Sequence, residues 1–200
     1  MARFFSPTVV DIKNHVEKYE KESREWDKTY SKCLNDVCKK GIRKINEKDI
    51  SIIKEFLVKW GKMARVLGKR KIWKSKLPNV IRDLCRQLEE FRKLRLENSD
   101  INEYEIKIFK CYENIKEIIG PTSAAKVLHL ICPNFFPIWD SGVRDKTGVN
   151  ERAEGYFNFI KRNKEFIVKY NDILEELAKK YKKPKVKIVD ECFYMGKQEA

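Results

Sequence analysis

Asp140 is an acidic residue in a setting that suits either chemistry or a helix cap. It follows an apolar pair, Ile138-Trp139, and is followed by Ser141 and Gly142. An ionised carboxylate can stabilise developing positive charge and orient a water molecule. An aspartate in this setting can equally cap the start of a helix. Both roles are open from the residues alone, and the direction of the carboxylate distinguishes them.

A phosphate-binding junction is predicted about twenty residues before Asp140. An apolar helix end meets Gly120, and a helix of small residues begins at once. The first N–H groups of a helix are unpaired and partly positive, and glycine lets an anion approach them closely. Thr122 also suits a helix cap. The residues expected to contact a nucleic-acid backbone here are Gly120, Thr122, Ser123 and Lys126.

The Gly120 junction and Asp140 together resemble a motif of the helix-hairpin-helix DNA glycosylase superfamily, and most of all its small archaeal 8-oxoguanine glycosylase branch. In that family an essential aspartate, just after an apolar pair, follows the hairpin glycine by about twenty residues, as Asp140 follows Gly120. The ending Ile188–Tyr194 is also similar to the family's closing element of an aspartate and aromatics. The resemblance covers about thirty residues and this tail. It implies a DNA-binding hairpin, a base flipped into a pocket, and Asp140 as the catalytic carboxylate.

Two departures from the family pattern change the expected chemistry. Ile118 stands where the first hairpin glycine would be, and Thr122 occupies the position of the lysine that forms a Schiff base in bifunctional members. A threonine hydroxyl cannot form an imine with the sugar, so the resemblance implies a monofunctional glycosylase. Lys126, one helical turn further on, is expected to point elsewhere.

No cofactor and no metal are expected. The four-cysteine iron–sulfur motif of another branch is missing, no Cys-x-x-Cys occurs, and the chain has two histidines, His15 and His129. His129 is interpreted as a packing residue. The six cysteines are dispersed and are expected to be reduced thiols.

Several aromatic residues are candidates for stacking on a base. Trp139, Phe136 or Phe135 could hold a flipped base, and Trp73 could stack on an unpaired base. Residues of these types are also commonly buried, so a core role is the alternative for each of them.

A basic stretch at residues 59–76 contains eight cations and no acidic residue. An acid-free run of this kind is suited to anions, because a solvated helix usually interleaves glutamate with its lysines. The whole chain has 44 Lys+Arg against 30 Asp+Glu, a formal net charge of +14. DNA is therefore the expected partner. The cations predicted to contact its phosphates are Lys69, Arg70, Lys71 and Lys74.

Composition excludes other classes of protein. No run reaches the roughly 18 consecutive apolar residues of a membrane span. The beginning, Met-Ala-Arg-Phe-Phe, lacks the apolar core of a signal peptide. No membrane partner is expected, and a cytoplasmic location follows, associated with the nucleoid if the source is prokaryotic.

The fold predicted from hydrophobic periodicity is an all-α helical bundle of one or two lobes. Apolar residues recur at spacings of three and four along most of the chain. The N-terminal region 1–100 carries the basic stretch and region 101–200 carries the hairpin-like element, or the two form one continuous domain. A helix is expected from Ile50, capped by Asp49 or Ser51, and another from Pro78. Two later helices are expected to meet near Asn163.

Three functions are consistent with these features. The first is a monofunctional DNA glycosylase that uses Asp140. The second is a non-catalytic nucleic-acid-binding protein that retains the hairpin and the basic stretch. The third is a basic helical protein whose partner is another protein.

Overall fold

The chain folds into an all-α bundle, as its periodicity predicts. The computed structural model describes residues 7–38, 42, 45, 47–141 and 150–196, and within these ranges every regular element is a helix and none is a strand. Residues 142–149, which follow Ser141, lie outside the described ranges.

The first half of the chain contains six α-helices and one π-helical segment, Phe56–Trp60, within its described residues. In chain order they are α1 (Val9–Glu22), α2 (Arg24–Cys38), α3 (Glu47–Glu55), α4 (Ala64–Gly68), α5 (Trp73–Asp83) and α6 (Cys85–Lys93).

The helices of the second half follow two 3-10 turns, Leu96–Asn98 and Ile101–Tyr104. They are α7 (Glu105–Ile119), α8 (Pro121–Ile131), α9 (Ala153–Lys169), α10 (Asn171–Tyr181) and α11 (Lys185–Gly196).

Some helix boundaries differ from those predicted. Helix α3 begins at Glu47, before both expected caps. Helix α5 begins at Trp73 and contains Pro78 in its interior. Trp73, Leu77 and Ile81 share one buried face at spacings of four, and this burial outweighs the hydrogen bond that the proline cannot donate.

The expected break near Asn163 is also wrong. Asn163 lies within α9 on its buried face, where its side-chain amide is satisfied by donating to the carbonyl of Phe159 at 2.9 Å. The break falls at Tyr170, between α9 and α10. Helix α10 ends at Tyr181, with Lys182 in the left-handed conformation two residues before Pro184.

One contiguous cluster of buried apolar residues joins both halves of the chain, from Ile12 to Cys192. Helix α7 packs along α8, and α1 packs along α11. The first and last described helices are therefore neighbours. This arrangement brings residues of α1, the π-helical segment, α8 and α11 to one place.

Candidate functional site

The described residues form a pocket of about 290 Å³ where these elements meet. This volume lies near the lower end of the range of about 300–1,000 Å³ usual for small-molecule sites. Four aromatic side chains and several charged ones line it. The aromatic residues are Tyr19, Trp26, Trp60 and Tyr194, and the polar ones include Lys62, Thr122, Lys126, Asp140 and Asp190.

Asp140 is one of the residues that line this pocket, and it is half-buried there. Thr122, in the first turn of α8, lines the same pocket, so Asp140 lies beside the helix that begins at the Gly120 junction. A carboxylate in the wall of a pocket can act on a bound molecule.

Lys126 also enters the pocket, which corrects two expectations. Its side chain is only 8% exposed, and its Nζ donates to the carbonyl of Gly61 at 2.8 Å. Burial lowers the pKa of Lys126, although the charge of Asp140 acts in the opposite direction. Lys126 therefore does not point away from the site, and it is not a surface contact for the DNA backbone.

The π-helical segment presents Trp60 and the Gly61 carbonyl to the site. The Trp60 ring stacks on Phe56, with centroids 4.9 Å apart, and lies 5.5 Å from the Nζ of Lys126. Gly61 is required by close packing, since a Cβ there would lie 2.7 Å from the backbone oxygen of Leu57. Short π-helical segments are frequent at functional sites. Trp60 was not identified as a pocket residue from the sequence.

The edge of the pocket carries a cation–aromatic pair. The Nζ of Lys62 lies 3.7 Å from the centroid of the Trp26 ring, and Trp26 is 42% exposed. Lys62 has φ +54°, a left-handed conformation that is uncommon for a residue with a side chain. An exposed ring beside a cation is suited to contact a nucleobase and its phosphate.

Asp190 supplies a second carboxylate to the pocket from α11. Its Oδ2 accepts a hydrogen bond from the Nζ of Lys187 at 3.0 Å. Burial raises the pKa of Asp190, and the charge of Asp140 raises it further, while Lys187 opposes both. Sequence analysis noted Asp190 only as part of the tail and gave it no role.

A buried ion network lies behind Asp190. Lys187 is fully buried, and its Nζ reaches Glu191 at 3.2 Å and the Tyr19 hydroxyl at 3.3 Å. Burial disfavours the charge of Lys187, but Glu191, Tyr19 and Asp190 outweigh burial and raise its pKa. The network fixes the pocket side of α11 against α1.

A second buried lysine extends this network. The Nζ of Lys183 contacts Glu20, Asp27 and, at 2.8 Å, Glu191. These three carboxylates have oxygens within 4.8 Å of one another, a spacing that could hold a metal ion. The lysine ammonium supplies the positive charge between them.

The Gly120 junction is built differently from the expected open turn. Gly120 has φ +84° and ψ 166° and is buried. The Nη1 of Arg70 donates to the carbonyl of Glu117 at 3.0 Å and to that of Ile118 at 3.3 Å, at the end of α7. A Cβ on Gly120 would lie 3.4 Å from the Arg70 guanidinium. Arg70 therefore covers the glycine and joins the basic stretch to the junction.

The other residues assigned to backbone contacts differ in their exposure. Lys69, Lys71 and Lys74 are exposed, so they are available to phosphates. Ser123 is fully buried, which corrects its assignment because its hydroxyl cannot reach a backbone outside the protein. Thr122 is half-buried in the pocket wall.

The residues predicted to stack on a base are core residues instead. Trp139, Phe136 and Phe135 are fully buried, and Trp73 is 4% exposed. Trp139 stacks on Tyr156, with centroids 5.4 Å apart. Burial of these large rings within the bundle corrects the stacking prediction, since no ring face is left for a base.

His129 is a packing residue, as expected. Its Nδ1 lies 2.8 Å from the Phe136 carbonyl and its Nε2 lies 2.8 Å from the Tyr30 hydroxyl. Burial lowers its pKa to about 3, so the ring is neutral in the folded protein.

Comparison with protein families, with characterised proteins and with solved structures finds no match to this chain. None of the helices in the described part of the chain is long and apolar enough to cross a bilayer.

Proposed function

We propose that this protein binds DNA and hydrolyses the N-glycosidic bond of a base extruded from the duplex. The observation that carries the proposal is that Asp140 lines a pocket together with Thr122, next to the Gly120 junction. A carboxylate, a pocket with aromatic walls and an adjacent basic surface are the parts that this reaction requires.

The basic surface supports DNA as the substrate. The pocket residues Gly61, Lys62 and Met63 lead directly into α4 and the exposed lysines that follow it. Arg70 links this segment to the end of α7. A duplex held by these cations would have its backbone beside the entrance of the pocket.

The aromatic wall supports an extruded base as the ligand. A flipped base is usually held by stacking on aromatic rings and by hydrogen bonds to its edges. Trp60 and Trp26 provide ring surfaces in this pocket, in place of the buried rings of Trp139 and Phe136. The carboxylates and the Lys126 amine provide hydrogen-bonding groups.

The proposed reaction is a hydrolysis in which Asp140 acts on the sugar. The ionised carboxylate stabilises positive charge at C1′ and orients a water molecule that bonds to this carbon. The bond from C1′ to the base nitrogen breaks, and its electron pair leaves with the base. Thr122 has no amine with which to form an imine, so the product is an abasic strand.

A panel of duplexes tests this function, each containing one 8-oxoguanine, hypoxanthine, uracil or 7-methylguanine. We expect excision of at least one base, seen as strand breakage only after alkali. Asp140→Asn should lower the rate by at least about 100-fold because it removes the charge that stabilises the transition state. Thermal melting and DNA binding should stay close to those of the wild type.

The matched control is Asp172→Asn, which changes an exposed aspartate in the same way and should retain full activity. Equal activity of Asp140→Asn and wild type would remove the catalytic assignment. Loss of folding in Asp140→Asn would make Asp140 a structural residue. DNA binding without excision of any base would favour a non-catalytic binding protein.

Borohydride trapping tests the absence of an imine. We expect no covalent adduct, because Thr122 lacks an amine and the Nζ of Lys126 is held by the Gly61 carbonyl. An adduct that forms with the wild type and disappears in Lys126→Gln would identify Lys126 as a nucleophile instead.

A further inference from the structure

The edge of the pocket exposes a tryptophan beside a lysine, Trp26 beside Lys62. Trp26 is 42% exposed, whereas Trp60 is half-buried and Trp73 and Trp139 are buried. Tryptophan is enriched where proteins bind other molecules, because its ring offers a large apolar surface. Trp26 is therefore the tryptophan that a ligand arriving from solvent contacts most readily.

The backbone holds Lys62 in a fixed position beside this ring. The N–H of Gly61 donates to the Phe56 carbonyl at 2.8 Å, and the N–H of Met63 donates to the Leu57 carbonyl at 2.9 Å. Lys62 lies between these two bonds with its φ of +54°. A left-handed conformation of a residue with a side chain persists only where its surroundings impose it, and such residues are concentrated at binding sites. The bonds to the π-helical segment thus fix the backbone from which the Lys62 side chain reaches the exposed ring.

The first turn of α2 holds Trp26 in a comparable way. Asp27, the next residue, accepts a hydrogen bond from the Tyr19 hydroxyl at 3.3 Å and contacts the buried Lys183. These bonds attach the turn to the interior of the protein, while the neighbouring indole stays at the surface. A pair of groups that is in place before the ligand arrives loses little conformational freedom on binding.

The charge around this pair favours an anionic partner. Lys62 belongs to the acid-free stretch 59–76, and among the described residues no carboxylate pairs with its ammonium. A nucleotide carries a flat base and a phosphate, which complement an indole ring and an ammonium group. Because the faces of a base within a duplex are covered by its stacked neighbours, the indole can stack only on an unpaired base.

The pocket and its edge are suited to successive nucleotides of one strand. The proposed function places one extruded base in the pocket, whose volume of about 290 Å³ is near the lower end for small-molecule sites. The more enclosed Trp60 is the ring available to that base. The next nucleotide of the strand then lies at the edge, beside Trp26 and Lys62.

We propose that Trp26 and Lys62 bind the nucleotide adjacent to the extruded one, and that they bind it unpaired. Its base stacks on the indole, and its phosphate binds the ammonium, which leaves the ring as the base arrives. The preferred substrate is therefore DNA that is unpaired around the target base, rather than a fully paired duplex. This inference rests on the proposed function, but DNA binding alone tests it.

Tryptophan fluorescence reports the stacking directly. Undamaged single-stranded oligothymidylate should quench the fluorescence of the wild type, because a stacked base quenches an indole. A fully paired duplex of the same length should quench it less. Trp26→Phe should lose most of the difference between the two DNAs.

Binding titrations separate the contribution of the ring from that of the charge. Trp26→Ala should weaken binding of the single strand by about 10-fold, and Trp26→Phe, which keeps an aromatic ring, should retain most of the affinity. Lys62→Met should weaken binding and lower the slope of log affinity against log salt by about 0.7, the value for one phosphate of a single strand. Lys62→Arg keeps the charge and should keep the slope. Trp26→Ala and Lys62→Met should both weaken duplex binding much less.

Two control variants change exposed residues of the same kinds elsewhere. Ile106 is 83% exposed on α7, and Lys13 is exposed on α1. Ile106→Ala and Lys13→Met should bind both DNAs as the wild type does.

The outcomes separate this inference from the proposed function. Equal affinity of the wild type for single strand and duplex, or a loss in Trp26→Ala that is the same for both DNAs, overturns the inference alone. A wild type that binds neither DNA overturns both. The expected losses of single-strand binding, without excision of any base, uphold the Trp26–Lys62 site and overturn the reaction.

Discussion

Gly120 has a backbone conformation that only glycine adopts without strain. Its φ of +84° and ψ of 166° lie in a region essentially closed to residues with a Cβ. Gly120→Ala should therefore lower the free energy of unfolding by about 1–3 kcal/mol. Thermal melts measure this loss, with Gly68→Ala as the control because a Cβ on Gly68 meets nothing within 4 Å.

This prediction revises what the sequence alone suggested for Gly120. From the sequence, the glycine was assigned to the close approach of a phosphate. Because of the backbone conformation and the packing of Arg70 over Gly120, a substitution there should lower the stability of the fold before it affects DNA binding. Full retention of the wild-type melting temperature in Gly120→Ala would contradict this account.

The sequence identified some residues of the site and could not identify others. Asp140 and Thr122 were found because their spacing from Gly120 follows a local motif. Asp190 and Trp60 were not identified as pocket residues, because they reach the pocket from helices that are distant in the chain. Trp139 was misassigned since periodicity does not tell which side of a buried loop faces a pocket.

At the scale of elements, the segment from α4 to α5 carries the exposed cations of the basic stretch. Replacing Lys69, Lys71 and Lys74 together by alanine should weaken DNA binding and flatten its dependence on salt, by about 0.9 in the slope of log affinity against log salt for each lost phosphate contact. Arg70 is left unchanged because it binds the carbonyls of α7. Binding titrations at several salt concentrations measure the slope.

The control for this variant removes the same charge elsewhere. Lys13, Lys169 and Lys179 are exposed on α1, α9 and α10. Their triple alanine variant should keep a salt slope closer to that of the wild type. Equal slopes for the two triple variants would show that net charge alone, and not the basic stretch, determines binding.

The elements themselves were more predictable than their ends. Helix α7 ends at Ile119, just before Gly120, and α8 begins at Pro121, as the glycine and the proline predict. Pro78 and Asn163 misled the prediction, because the burial of an apolar face keeps both helices continuous through these residues. The π-helical segment at Phe56–Trp60 has no local signal that separates it from an α-helix.

At the scale of the whole molecule, the buried ion network makes stability depend on pH. Burial raises the pKa of Glu191 from its ordinary value of 4.5 to about 7, and its Oε2 has no hydrogen-bond partner in the described structure. At a pH between 4.5 and about 7, Glu191 therefore keeps a proton in the folded state that it has released in the unfolded state. The contribution of Glu191 to stability therefore falls as the pH rises through this window, by at most about 1.4 kcal/mol per pH unit.

Glu191→Gln should remove this contribution. As the pH rises from about 5 to about 7, the unfolding free energy of the wild type should fall relative to that of the variant, because only the wild type loses a bound proton. Urea unfolding at both pH values measures it. Glu176→Gln changes an exposed glutamate and should follow the wild type at both. A constant difference between wild type and Glu191→Gln would contradict this assignment.

The contact between α1 and α11 also determines when, during synthesis of the chain, the pocket can form. The bond between Tyr19 and Lys187 joins residues 168 positions apart. At a synthesis rate of about 5–20 residues per second, α1 leaves the ribosome on the order of ten seconds or more before its partner is made. During that interval Tyr19 and Asp27 remain in water without the lysines that later bind them. A nascent chain on the ribosome, surrounded by RNA, thus carries the basic surface before it carries the pocket.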